Sequence, residues 1–146
     1  MGVGIMAVKK INAPDKLIRQ LEKLDSDFES IAKEAVRAGA DILADRVREN
    51  LKRNLSNSEH STGDLLDSLG IAPARMNPDG TVDAKVGFDS PGYDRKGVPN
   101  ILKARVMESG SAIQPKRPFF GPAITATREK VKAAMQQKVS ERLKKI

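Results

Sequence analysis

A chain of mixed helix and strand, with long helices toward both ends and a β-hairpin between them, is what the sequence predicts. Three observations carry it. From Phe28 to Leu51, the residues Ile31, Ala32, Ala35, Gly39, Ile42, Leu43 and Val47 recur at helical spacing, while Glu29, Lys33, Arg37, Asp41 and Arg48 take the wetter side. After the turn signal Asn77-Pro78-Asp79-Gly80, the alternation of Val82, Ala84, Val86 and Phe88 marks a strand with one face buried. From about Phe119 to Leu143, the residues Phe120, Ile124, Val131, Ala134, Met135, Val139 and Leu143 repeat at nearly heptad spacing.

Size and composition bound the rest. At 146 residues and 15.9 kDa the chain suits a single domain, 1–146, able to bury a core without disulfides or metals. It has no cysteine, so a disulfide framework, a thiol nucleophile and a cysteine zinc site are excluded, and a reducing compartment such as the cytoplasm is compatible. No apolar run approaches the roughly 20 residues that span a bilayer. The segment Met1 to Lys10 lacks the order of a secretory signal, so no membrane partner is expected. A net charge of +7 and a pI near 9.8 attract polyanions or acidic protein surfaces. With no Trp and one Tyr, the stacking platforms of single-strand binders are missing.

Taken in order, Val3 to Val8 is an apolar, β-branched run that reads as a strand or a frayed leader. Asn12 is a plausible cap before Pro14 and Asp15, with Leu17, Leu21 and Leu24 forming the apolar stripe of a short helix. Ser26 to Glu29 is a capping box opening the long helix. Its small residues Ala35, Ala38, Gly39 and Ala40 permit close approach of a neighbouring element, either within the subunit or across a dimer seam. Asn54 to Ser61 is a polar loop. Leu65 to Ala74 begins as a helical turn and becomes a strand, giving a hairpin from about Ser68 to Phe88. Ser90 to Pro99, rich in Pro and Gly, is an exposed loop. Asn100 to Met107 is a short helix or a buried segment, with Gly110 as the stop.

No catalytic, cofactor or metal site can be assembled, and no enzyme is expected. His60 is the only histidine, sits among small polar residues and reads as a solvated loop residue. Asp64 and Asp67 are explained by charge complementarity at a helix start. The glycines Gly92 and Gly97 match no phosphate-cradling pattern. The basic side chains Arg128, Lys130, Lys132, Lys138, Arg142, Lys144 and Lys145 would suit anionic lipid, nucleic acid or an acidic protein, or simply keep a helix soluble and complement its dipole.

The most distinctive stretch is Gln114 to Ala123, which holds three prolines, a glycine and two of the four phenylalanines. Pro115 and Pro118 fix their own φ and hold Gln114 and Arg117 extended, making a stiff strap. Pro122 suits the first turn of the helix that follows. Phe119 and Phe120 stand at the hinge; as adjacent residues they should not share one narrow helix face, so one is expected in the core and the strap is expected to offer an aromatic anchor.

Three landmarks then stand in a fixed order. They are Thr62-Gly63-Asp64-Leu65-Leu66-Asp67-Ser68-Leu69, Glu108-Ser109-Gly110-Ser111 and Arg117-Pro118-Phe119-Phe120-Gly121-Pro122-Ala123. The set resembles the tail-component family of tailed bacteriophages typified by gene product ten of a lambdoid siphophage, over most of the chain. Members pattern as Thr-Gly-x-Leu-x-x-Ser-Ile, Glu-aromatic-Gly-Thr and Pro-Phe-x-x-Pro-Ala. Here Leu69, Ser109 and Ser111 depart from that pattern, and the loop Asp94 to Val98 is longer.

The resemblance implies an α+β fold, long helices packed on a small, mainly antiparallel sheet. It also implies a structural role in the virion neck as a head-tail joining, connector or tail-completion protein. Such proteins form homo-oligomeric rings around the DNA channel, with other phage neck, connector or tail proteins as partners, after assembly in the host cytoplasm. The matching motif positions are Thr62, Gly63, Leu65, Ser68, Glu108 and Gly110, and the interface expected is Pro115, Arg117, Pro118, Phe119, Phe120 and Pro122. The alternative is a small basic nucleic-acid-binding protein using the Arg128 to Lys145 face, with binding that weakens steeply as salt rises.

Overall fold

A computed structural model of the chain describes residues 8–16, 19, 28–55, 64–88, 100–112 and 115–144. In chain order the elements are β1 (Val8–Asn12), α1 (Phe28–Leu55), α2 (Asp64–Asp67), β2 (Leu69–Ile71), β3 (Arg75–Met76), β4 (Val82–Phe88), α3 (Asn100–Ser109) and α4 (Phe120–Leu143). The architecture is α+β. Its organising element is α1, whose stripe of Ile31, Val36, Leu43, Val47 and Leu51 is wholly buried against the sheet and α4. Burying each such side chain stabilises the fold by roughly 1.5–3 kcal/mol.

The small residues of α1 serve packing within the subunit. A Cβ added at Gly39 would lie 3.0 Å from Val131 Cγ1, 3.1 Å from Met135 Cγ and 3.4 Å from Ile11 Cγ2, so α4 and β1 both close on this point. On α4 the buried face is Phe120, Ala123, Thr127, Val131, Met135 and Val139. Thr127 enters that apolar face because its hydroxyl donates to the Ala123 carbonyl at 2.8 Å and is thereby satisfied. The heptad reading had placed Leu143 on the same stripe, yet it is exposed at the helix end.

The sheet is antiparallel around β4. β1 pairs along one edge, from Val8 opposite Gly87 to Asn12 opposite Asp83. β2 and β3 share the other edge, with Ile71 opposite Val86 and Arg75 opposite Asp83. Pro73 has no N–H and interrupts that edge between β2 and β3, while Ala72 still donates to the Lys85 carbonyl at 2.8 Å. The hairpin turn closes with Gly80 at φ 88°, its amide donating to the Asn77 carbonyl at 2.9 Å. The Thr81 hydroxyl and amide both donate to the Asp79 carboxylate and hold its pKa below the ordinary carboxylate value.

Along β4 the residues Val82, Ala84, Val86 and Phe88 belong to the core, as the alternation predicts. Asp83, on the opposite face, is also buried, at 1% exposure. It accepts from Asn77 Nδ2 at 2.7 Å and lies 3.7 Å from Lys10 Nζ and 3.8 Å from Arg75 Nε.

Of the N-terminal run, Val3 to Ala7 lie outside the described residues, and the described strand runs from Val8 through Lys9 and Lys10, whose exposed side chains suit a sheet edge. One expectation for this region changes. Asn12 closes that strand and does not cap a helix; helical residues begin at Asp15. Leu17, Leu21 and Leu24, Ser26 of the capping box, His60, Thr62, Gly63 and the loop Ser90 to Pro99 lie outside the described residues.

Candidate functional site: a proline strap held at both ends

The ends of α1, α3 and β4 converge on the segment that launches α4. α3 stops where the sequence placed its stop: Gly110 adopts φ 80° and its amide donates to the Val106 carbonyl at 2.7 Å. The chain then doubles back, and the Arg117 amide donates to the Met107 carbonyl at 2.7 Å. From α1, Asn54 Nδ2 donates to the Arg117 carbonyl at 2.8 Å, and Arg117 Nη1 returns a bond to the Asn54 carbonyl at 3.1 Å. One helical turn earlier, the buried Asn50 donates from Nδ2 to the Phe119 carbonyl at 3.1 Å.

The start of α4 is closed by a carboxylate from α3. A helix leaves its first four amides without helical partners. Here Glu108 Oε1 accepts from Phe119 at 2.9 Å and Phe120 at 2.7 Å, Glu108 Oε2 accepts from Gly121 at 2.9 Å, and the fourth residue is Pro122, which has no amide hydrogen. A negative carboxylate at this end also complements the helix dipole. A Cβ at Gly121 would come 3.1 Å from Glu108 Oε2, so the glycine makes room for the cap.

Both phenylalanines face inward. Phe119 is 1% and Phe120 3% exposed, and Phe119 stands edge-on to Phe88 with ring centroids 6.0 Å apart. The expected outward aromatic anchor is therefore corrected: the pair belongs to the core of its own subunit. Adjacent residues manage this because Phe119 precedes the helix at φ −133°, ψ −27°, and so escapes the rotation that helical geometry imposes between neighbours. What the strap presents outward is Pro115, Lys116, Arg117 and Pro118, with Pro122 beside them, all exposed.

Of the motif positions, Leu65 is buried, and Ser68 is buried with its hydroxyl donating to the Leu65 carbonyl at 2.8 Å, closing the turn between α2 and β2. Asp67 is exposed at the end of α2, so dipole complementarity at a helix start does not apply to it. Asn50 and Asn54 went unread as clamps; their position one turn apart, flanking the buried stripe of α1, was the available signal.

The basic face of α4 is narrower than the lysine count implied. Arg128, Lys130 and Lys132 are exposed, whereas Lys138 lies 3.9 Å from Glu141 and Arg142 pairs with Glu34 of α1. Among the described residues no three His, Cys, Asp or Glu side chains gather as a metal site, and no helix is long and apolar enough to cross a membrane.

Compared with known proteins, residues 15–110 match the family model described as "Bacteriophage HK97-gp10, putative tail-component". The match runs through α1, α2, the strands β2 to β4 and α3 to Gly110, leaving out β1, and includes Leu65, Ser68 and the Glu108 that caps α4. Neither the curated proteins nor the solved structures hold a match to the chain. Matched over more than half its length, the chain belongs to the HK97-gp10-like family of bacteriophage tail components.

Proposed function

We propose that this tail-component protein is a structural, non-catalytic part of the virion neck, a head-tail connector or tail-completion protein of one domain that assembles as a homo-oligomeric ring around the DNA channel. The observation that carries the reading is the strap. Its backbone is tied to α1 and α3 at Arg117 and Phe119, while Pro115, Lys116, Arg117 and Pro118 stay on the surface. A segment already rigid loses little entropy on binding, which suits a contact repeated by rotation around a ring. Other phage neck, connector or tail proteins would flank the ring above and below, and genomic duplex would pass through it without specific contact. Assembly would take place in the host cytoplasm.

Changing the outward residues while sparing the clamps tests this. Lys116→Glu with Pro118→Ser should leave monomer stability within about 1 kcal/mol, since exposed positions tolerate substitution. The same variant should abolish the ring in native mass spectrometry. A ring that persists at wild-type protein concentration removes the strap from the interface.

The alternative, a small basic nucleic-acid-binding protein, draws on the exposed Arg128, Lys130 and Lys132. Glu129 and Glu141 interrupt that face. Tight duplex binding by the isolated protein that falls steeply between two salt concentrations would favour it.

A further inference from the structure

A second surface, away from the strap, has its own chemistry. Between the edge strand β1 and the exposed side of α4 runs an open groove with a volume of about 280 Å³. Ile11 and Val131 form its floor and the half-buried Ile124 one wall, while Lys9, Arg128 and Lys132 stand around the rim. Among the described residues no acidic side chain lines it. Lys132 lies 3.9 Å from the exposed Glu129, but Lys9 and Arg128 make no ion pair with a described residue. On the same strand the neighbouring Lys10 is already turned to the buried Asp83.

We infer that this groove docks an acidic segment of a partner protein, one that sets carboxylates against Lys9, Arg128 and Lys132 and seats an apolar side chain over Ile11, Ile124 and Val131. Charge complementarity argues for the carboxylates: a cluster of cations that outnumbers its acidic neighbours steers and orients a negatively charged partner. The apolar floor separates a polypeptide from nucleic acid. A phosphate backbone has nothing to place there, and the space holds about two apolar side chains, the kind of small buried anchor that dominates interface energetics. A symmetric contact between two copies through this groove is disfavoured, because it would set Lys9, Arg128 and Lys132 of one copy against the same cations of the other. Nothing in this inference depends on ring formation through the strap.

The test uses the full chain and three fluorescently labelled probes. One is a peptide with a pair of leucines among glutamates and aspartates, the second the same peptide with serines for leucines, and the third a short DNA duplex. The leucine peptide should bind, the serine peptide about tenfold more weakly, and Lys9→Glu with Arg128→Glu should weaken the leucine peptide by about tenfold or more with unchanged far-ultraviolet circular dichroism. Methyl resonances of Ile11, Ile124 and Val131 should shift on titration with the leucine peptide. Ile124→Ala should weaken it while leaving the serine peptide unchanged. Binding of the serine peptide or the duplex as tightly as the leucine peptide would overturn the inference, since charge alone would then be recognised. Methyl shifts confined to other parts of the molecule, or no binding at about millimolar peptide, would overturn it as well.

Discussion

Glu108 accepts from three successive amides across a turn of chain and so ties the end of one helix to the beginning of another. Hydrogen bonds to a charged group contribute about 1.5–3 kcal/mol, and a lost helix cap costs about 0.5–2 kcal/mol. Glu108→Ala should therefore destabilise the fold by about 2–3 kcal/mol, and Glu108→Gln by about half of that because one oxygen is lost as an acceptor, as read from urea unfolding. Wild-type stability in Glu108→Ala would mean that water serves these amides equally well. The sequence marked Glu108 and Gly110 as landmarks, and a glycine stop is a local event that a sequence can reveal. The cap is not local, because its amides follow 11 to 13 residues later. Asn50 and Asn54 were less legible still, with partners 69 and 63 residues away.

Among the elements, the helices and the hairpin were legible because burial repeats at 3.6 or 2 residues along them. The crossing of α1 and α4 at Gly39 depends on a missing side chain, which a periodic pattern allows without locating its partner. Gly39→Leu should push α4 away and cost about 1–3 kcal/mol or more through overpacking, a loss that thermal unfolding would detect. An unchanged melting temperature would mean that the two helices separate without cost. The stretch of β1 from Lys9 to Asn12 is not legible in the sequence, because an edge strand carrying Lys9 and Lys10 lacks the apolar run that marks buried strands. The phenylalanine pair was misread because the helical rotation between neighbours was applied to Phe119, which lies just outside α4. Phe119→Ala should cost about 3–5 kcal/mol of monomer stability, the figure for a core aromatic, in the same unfolding experiment. A loss of assembly with full monomer stability would return that ring to the interface.

At the scale of the molecule, the family resemblance came from the order of three landmarks, of which the family match takes in the first and the second up to Gly110. The strap and α4 lie beyond the match, yet Glu108 physically joins the matched region to them. Composition excluded a disulfide scaffold but was silent on how the surface divides. The structure separates an outward strap at the start of α4 from a basic, apolar-floored groove farther along that helix. Two surfaces on one subunit would let it contact its neighbour and an acidic partner together. A cryo-electron microscopy reconstruction of the neck of the virion encoding this chain tests the central claim most directly. The account predicts a ring of this protein around the channel, with residues 115–118 against the adjacent subunit; a neck without the chain, or a ring whose subunits meet elsewhere, would contradict it.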